Sequence, residues 1–407
     1  MFSGKAEEGS TKSPMRTSSL ADKLLQIGVK GKAVHRPGCF AVSEHPPCKL
    51  VHIRLHSCGS EANSSFDRPA ACSAQRKLDF ESTHMHIPDG FLDAKTAGAT
   101  AAFSLVGLGL SLRHASRYLP ARKIPLIGLA AAFVFVAQML NFPVASGTSG
   151  HLLGATLAAV MLGPSAAIIV MSTVLIVQAL LFADGGILSL GANVFNMAIV
   201  GPMAGYGSYR LMRVVFRGEY GRLVAVGVAS WFSTVVAAIF CAGELAWSGT
   251  VPWNSAFPAM AGVHMATGLG EATITMLVIA SIARARPELL NDSNPAASLR
   301  ERSTGFVLVA LLVIGLLLLV APHASNLPDG LEKVASSLGF EHRALTNPNV
   351  SAPLEAYKLP GTASTSAATI VAGLIGAIAV LALSMVLARV LVPRNRAVPP
   401  QQREGTV

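Results

Sequence analysis

The residues with the clearest chemistry are Met85-His86-Ile87-Pro88-Asp89-Gly90-Phe91-Leu92. A histidine at the second position of a free chain chelates a metal ion through the terminal amine, its own amide nitrogen and an imidazole nitrogen, closing a five- and a six-membered ring. Those three nitrogens lie in one plane. A deprotonated amide in the set suits a late first-row ion such as Ni²⁺ or Cu²⁺ far better than Zn²⁺ or Mg²⁺. Pro88 and Gly90 force a turn that keeps this end off the first helix and folds it back into the molecule. A fourth donor is needed, and His151, directly behind the flexible Gly147-Thr148-Ser149-Gly150, is the candidate; the alternative is a histidine that caps or packs at a membrane interface.

The elements that must position these groups are membrane spans. The 407-residue chain is 52% hydrophobic and 13% charged, with a mean hydropathy of +0.52, whereas a water-facing protein needs about a quarter of its residues charged. The polar residues are unevenly placed: 20 of the first 84 residues are charged, against 34 of the remaining 323. From Ile124 to Tyr209 the only charged side chain is Asp184. Apolar runs predict spans near 94–113, 124–142, 151–163, 165–183, 187–209, 223–243 and 258–283, then a separate pair near 305–321 and 366–388. The 151–163 run is short for a full span and reads as a broken helix, tolerated where neighbouring protein covers its ends.

If these helices alternate, the clusters Arg113/Arg117/Arg122/Lys123, Arg210/Arg213/Arg217/Arg222, Arg284/Arg286/Arg300/Arg302 and Arg389/Arg394/Arg396 all fall on one side, which is the cytoplasmic side. The His151 loop, Asp184 and the 322–365 loop then face outward. The net charge of +10 therefore does not indicate nucleic acid, since the basic residues punctuate apolar spans. Residues 1–84 would have to cross the membrane with 12 Lys and Arg and no apolar stretch long enough for a signal peptide, so translation is expected to begin at Met85. That segment also holds Cys39, Cys48, Cys58 and Cys72, at spacings that match no zinc or redox motif; Cys241 sits in an apolar span as a small core residue.

At these residues the chain resembles the CbiM/NikM family, the substrate-binding membrane subunits (S components) of energy-coupling-factor transporters for nickel and cobalt. The resemblance covers about 85–285. It rests on Met85 to Leu92, Gln138-Met-Leu-Asn-Phe-Pro143 running into Gly147-Thr-Ser-Gly-His151, Gly163-Pro164, Val177-Gln178-Ala-Leu-Leu-Phe182 with Asp184-Gly-Gly186, Gly191-Ala-Asn-Val-Phe-Asn-Met197, and His264 followed by Gly270-Glu271. It implies a mature chain beginning at Met85 and a metal held by the Met85 amine, the His86 amide and imidazole, and His151. A retained 1–84 segment would leave Met85 without a free amine. Fold class follows: an all-α membrane protein, a seven-helix S-component bundle with a C-terminal two-helix unit.

Other polar groups are candidates to orient ligands or gate the site. Asp89 belongs to the turn, Asp184 is alone in its uncharged stretch, and His264 and Glu271, seven apart, share a helical face inside a span. Asn141, Gln178, Asn193 and Asn196 can orient His151 or the terminal amine by hydrogen bonds, or equally hold helices together.

Residues 305–390 follow a cytoplasmic linker, 286–304, and precede a cytoplasmic tail, 391–407. Their loop opens with Pro328-Asp329-Gly330-Leu331-Glu332, which resembles the PDGLE motif of the CbiN/NikN auxiliary component. By that resemblance the unit assists metal loading from outside and tilts the substrate toward nickel. The chain contains no Gly-x-x-x-x-Gly-Lys-Ser/Thr loop, so it is expected to be a transporter subunit, not an enzyme, in the bacterial cytoplasmic membrane. The family implies a transmembrane scaffold (T) protein and ABC-type ATPase partners, with Ni²⁺ or Co²⁺ as transported ion and no permanent cofactor. The rivals are a self-sufficient ion-coupled metal transporter using Asp184 and Glu271, an intramembrane metal-dependent hydrolase using His264 and Glu271, and a purely structural membrane partner. The hydrolase lacks His-Glu-x-x-His.

Overall fold

The computed structural model describes residues 85–144, 147–290, 299–345 and 352–391. The expected polar extension 1–84 and the tail beyond residue 391 lie outside them.

Helix α1 (Ala94–Tyr118) begins at Asp93, whose side chain accepts from the Thr96 amide, and is inverted relative to a helix in water. Its buried face is Thr96, Thr100, Ser104, Ser111 and Ala115, while Phe103, Leu105, Val106 and Leu110 are exposed. Lipid imposes this pattern: apolar side chains cost nothing outward, and small residues inward let backbones approach. The partner of that face is α5 (Leu190–Asn193), where a Cβ on Gly191 would stand 2.5 Å from the Ala101 Cα. Gly191→Ala is therefore expected to destabilise the protein by about 1–3 kcal/mol, read as a lower thermal midpoint in detergent. Gly98→Ala, on α1, meets nothing within 4 Å and should not.

Helix α2 (Ile124–Gln138) has 15 residues, hence about 22 Å of length, too little for a hydrocarbon core of about 30 Å. The expected span to residue 142 stops at Gln138, and the chain enters an antiparallel hairpin, β1 (Phe142–Val144) paired with β2 (Thr148–Gly150), Phe142 opposite Gly150. Non-helical backbone is acceptable here because protein covers it. The Ser149 amide donates to the Pro328 carbonyl and its hydroxyl to the Leu327 carbonyl. Only then does the short helix α3 (Ala155–Leu162) form, followed by α4 (Pro164–Phe182).

The expected 187–209 span is α5, a π-helical stretch Val194–Val200 and α6 (Gly201–Val215) in continuous succession. Such π-helical turns cluster at functional sites. Helices α7 (Gly218–Trp247) and α8 (Trp253–Ala285) pack along each other. Among the described residues, five helices, Pro164–Phe182, Gly218–Trp247, Trp253–Ala285, Gly305–His323 and Thr365–Leu391, are long and apolar enough to cross a membrane. The chain is an all-α, multi-pass membrane protein.

The C-terminal helices α9 (Leu299–Val320) and α11 (Thr365–Leu391) do not pack mainly on each other. Helix α11 lies on α2 and α4, and α9 lies on α2, so Ile314, Leu318, Ala372, Ala377 and Val380 share one core with Phe135, Val174 and Phe182. The reason is α2 itself: apolar on every side, it needs cover all round. Between them, in what the sequence presents as a loop, stands α10 (Gly330–Leu338). Its N-terminus is a capping box: Asp329 accepts from the Glu332 amide, and Glu332 from the Asp329 amide.

Candidate metal centre

The turn before α1 is held from three directions. Asn193, where α5 passes into the π-helical stretch, accepts from the Ile87 amide at 3.0 Å and donates to the Ile87 carbonyl at 3.1 Å. The Asp89 carboxylate accepts from the Ile187, Leu188 and Ser189 amides, and so ties the turn to the loop ahead of α5. The Leu345 amide, from beyond α10, donates to the Asp89 carbonyl.

This anchoring presents Met85 and His86 to Asp184, which follows the left-handed Ala183 that ends α4. One oxygen, Asp184 Oδ1, accepts from both the Met85 backbone nitrogen and His86 Nδ1, each at 2.9 Å. The other, Oδ2, accepts from the Tyr357 hydroxyl. His86 and Asp184 are both buried. Burial alone would pull the imidazole down, but the Asp184 carboxylate outweighs it and holds His86 above its ordinary range. Burial would likewise raise Asp184, and His86 outweighs that, with help from Tyr357 and the Met85 amide, leaving the carboxyl at about 2.

His86 Nε2 is buried and has no hydrogen-bond partner. The His151 ring stands 5.8 Å from the His86 ring, centroid to centroid. Burial, then the charge of His86, pulls His151 below its usual range, so it offers a neutral nitrogen. Both rings line a cavity of about 110 Å³ with Met85, Asn193, Asn196, His264 and Asp329. His264 Nδ1 lies 2.8 Å from the Met260 carbonyl, which as a donor leaves its Nε2 as an acceptor. Asp329 is buried, and burial raises its carboxyl. Gly330 beside it is packed so closely that a Cβ would stand 2.7 Å from His264 Nε2. Among the described residues no group of three or more His, Cys, Asp or Glu side chains is placed to hold a metal ion.

Other sequence candidates sit further out. Gln178 donates to Gln138 at 2.9 Å and reaches the Tyr357 hydroxyl at 3.4 Å. Asn196 donates to the buried Glu244, which the sequence reading passed over, at 2.7 Å. Asn141 does not line the cavity, and its backbone carbonyl receives the Ser325 amide. Glu271 accepts from the Leu153 amide at 2.6 Å and the Gly154 amide at 3.0 Å, closing the N-terminal end of α3 just beyond His151. Glu271→Ala leaves two buried amides unbonded and should cost about 2–6 kcal/mol of stability, measured as the thermal midpoint of the metal-free protein; Glu271→Gln should lose less.

Asp329, Glu332 and Tyr357 were not among the sequence candidates. A capping-box reading of Asp329-Gly-Leu-Glu332 finds the first two. Tyr357 carries no local signal.

The groups of the cavity gather at one end of the bundle. Helices α1, the α5–α6 run, α8 and α11 all start there, and their last turns carry Arg117, Arg213, Arg284 and Arg389.

Known proteins are similar to this chain in sequence. The family described as cobalt uptake substrate-specific transmembrane region matches residues 86–289, and the PDGLE domain matches residues 300–393. A putative fused nickel transport protein NikMN of Archaeoglobus fulgidus is 38% identical over 308 residues, 75% of this chain and 98% of its own. The fused nickel transport protein NikMN of Rhodobacter capsulatus is 35% identical over 66% of this chain and 82% of its own. Cobalt transport protein CbiM 2 of Pelobacter propionicus is 34% identical over 52% of this chain and 96% of its own. A solved structure of a transition metal transporter is 35% identical, covering 49% of this chain and 93% of its own with a TM-score of 0.45. With its first family match spanning half of the sequence and a fused relative aligned along nearly its whole length, the chain belongs to the CbiM family and carries a PDGLE domain on the same polypeptide.

Proposed function

We propose that this protein captures nickel or cobalt ions at the outer face of the membrane and delivers them inward as the substrate-specific subunit of an ATP-driven energy-coupling-factor transporter. The relatives' names supply the ions. The observation that carries the capture mechanism is the convergence of the Met85 nitrogen and His86 Nδ1 on one Asp184 oxygen, with the His151 ring alongside.

Two nitrogens that both reach one point can both bind an ion placed near it. In a chain beginning at Met85, the amine, the His86 amide nitrogen and His86 Nδ1 close the five- and six-membered rings, and His151 fills the fourth position. The ion takes the place of protons now shared with Asp184, so binding releases protons and weakens in acid. Asp184 then remains as the negative charge beside a dication. The arginine-bearing helix ends lie opposite the cavity, and the preference of such residues for the cytoplasm turns the cavity outward.

The chain has no phosphate-binding loop for ATP, and a scaffold transmembrane protein with paired ABC-type ATPases supplies the driving force in this reading. The two buried acids that an ion-coupled carrier would use are otherwise engaged, Asp184 by His86 and Glu271 by the Leu153 and Gly154 amides just ahead of α3. Expression with and without the scaffold and ATPase subunits tests the assignment. Uptake of radioactive nickel or cobalt that requires them and ATP supports it; equal uptake by this chain alone refutes it.

A further inference from the structure

We infer that Tyr357 is a positioning residue for metal capture, the point at which the C-terminal part of the chain acts on the ion's seat by holding the Asp184 carboxylate. The inference rests on the reading of Met85 and His86 as that seat.

Tyr357 lies between α10 and α11, far from the site in sequence, yet its ring stacks on Phe182 at 4.7 Å and stands 6.2 Å from Phe135. The Leu354 amide donates to the Leu181 carbonyl, which pins the segment to the end of α4. Ala356 and Tyr357 both have positive φ, 55° and 56°, a left-handed conformation that residues with a Cβ rarely adopt. Strain of this kind persists only where the surroundings over-determine it. Here the surroundings are the aromatic stack and the hydrogen bond from the Tyr357 hydroxyl to Asp184 Oδ2.

That bond closes a buried network joining the two halves of the site. From the His151 side, the Leu153 carbonyl accepts from Gln138, Gln138 accepts from Gln178, and Gln178 reaches the Tyr357 hydroxyl. From Tyr357 the network passes to Asp184 and so to Met85 and His86. Gln138 and Gln178 are fully buried, so no water competes for these bonds. When an ion replaces the protons on Met85 and His86, Asp184 Oδ1 has to give way. Tyr357 keeps Oδ2 in place, so the carboxylate stays beside the ion as its counter-charge and does not swing out.

The test uses the full chain loaded with nickel. Tyr357→Phe keeps the stack on Phe182 and removes only the hydroxyl. It should still load nickel but release it to a chelator at least about tenfold faster, the factor equivalent to ~1.4 kcal/mol. Asp184→Asn should also speed release, and Tyr357→Phe/Asp184→Asn should be no faster than Asp184→Asn alone, because the hydroxyl acts through that carboxylate. A side chain that only packs would leave the double variant additive. Wild-type release from Tyr357→Phe, or simple additivity, overturns the inference. If Tyr357→Phe does not accumulate, Gln178→Met, which breaks the network one step earlier, is read by the same two criteria. His86→Ala separates the two levels: nickel bound and released as in wild type there refutes the capture reading itself, whereas loss of nickel there with wild-type Tyr357→Phe refutes only the role of Tyr357.

Discussion

His86→Ala and His151→Ala should each leave the purified protein without stoichiometric nickel or cobalt, with affinity reduced more than 100-fold. Changes to groups that merely orient a metal ligand typically cost 10–100-fold, so loss of a donor nitrogen lies beyond that range. The two variants fail for different reasons. Without His86 Nδ1 the six-membered ring cannot close, and only the amine and an amide nitrogen remain, a pair that does not hold a late transition ion against water. Without His151 the three-nitrogen plane survives but its fourth position falls to solvent. His264→Ala is the informative neighbour, because His264 lines the cavity while its Nδ1 faces the Met260 carbonyl. Its loss should cost less than that of either donor. Equilibrium dialysis with metal analysis of each variant checks all three, and an unaltered affinity in His86→Ala contradicts the scheme.

Asp184→Ala should destabilise the metal-free protein by about 3–5 kcal/mol. Asp184 is the buried carboxylate facing the His86 imidazole at 2.9 Å, and removing it leaves the His86 imidazole, the Met85 nitrogen and the Tyr357 hydroxyl without their acceptor. The pH dependence follows from the two shifts. Asp184 is lowered from 3.8 to about 2, so its contribution is fully present above pH 4 and is lost as pH falls toward 2. His86 is raised above 6.5, so its contribution is fully present below 6.5 and is lost as pH rises through the raised value. The metal-free protein therefore gains most from this pair between about pH 4 and 6.5. Metal binding has the opposite preference, since the protonated imidazole that strengthens the pair cannot bind the ion. Acidification should empty the site while the protein stays folded. Thermal midpoints of wild type and Asp184→Ala from pH 3 to 8, with bound metal measured in parallel, check both halves.

The apolar runs were legible because lipid imposes them, and the Met85-His86 and His151 motifs stood out because a His after Met has few chemical uses. What composition does not encode is whether an apolar residue meets lipid or protein. Helix α2 reads like any span, yet it is too short to be one and is wrapped by α9 and α11, and the backbone that follows it becomes a hairpin. Leu105 and Val134 are equally apolar in sequence, and one is 72% exposed while the other is 1% exposed. Long-range polar contacts were equally hidden. Tyr357 reaches Asp184 across 173 positions, and Ser149 reaches Leu327 across 178. No periodicity connects such pairs; the closure of the fold does. Asp89 and Asn193 show the converse. Both were visible as polar residues in suggestive motifs, but only the structure shows that they fix the backbone of the turn.

The most direct test of the amine-imidazole seat is intact mass and N-terminal sequencing of the membrane-purified protein, with nickel and cobalt quantified in the same sample. The account predicts a chain that begins at Met85 and carries close to one equivalent of metal ion. A chain that keeps residues 1–84 and still binds the ion tightly would contradict it, because the Met85 nitrogen would then be an internal amide and His86 and His151 would have to hold the metal without the terminal amine.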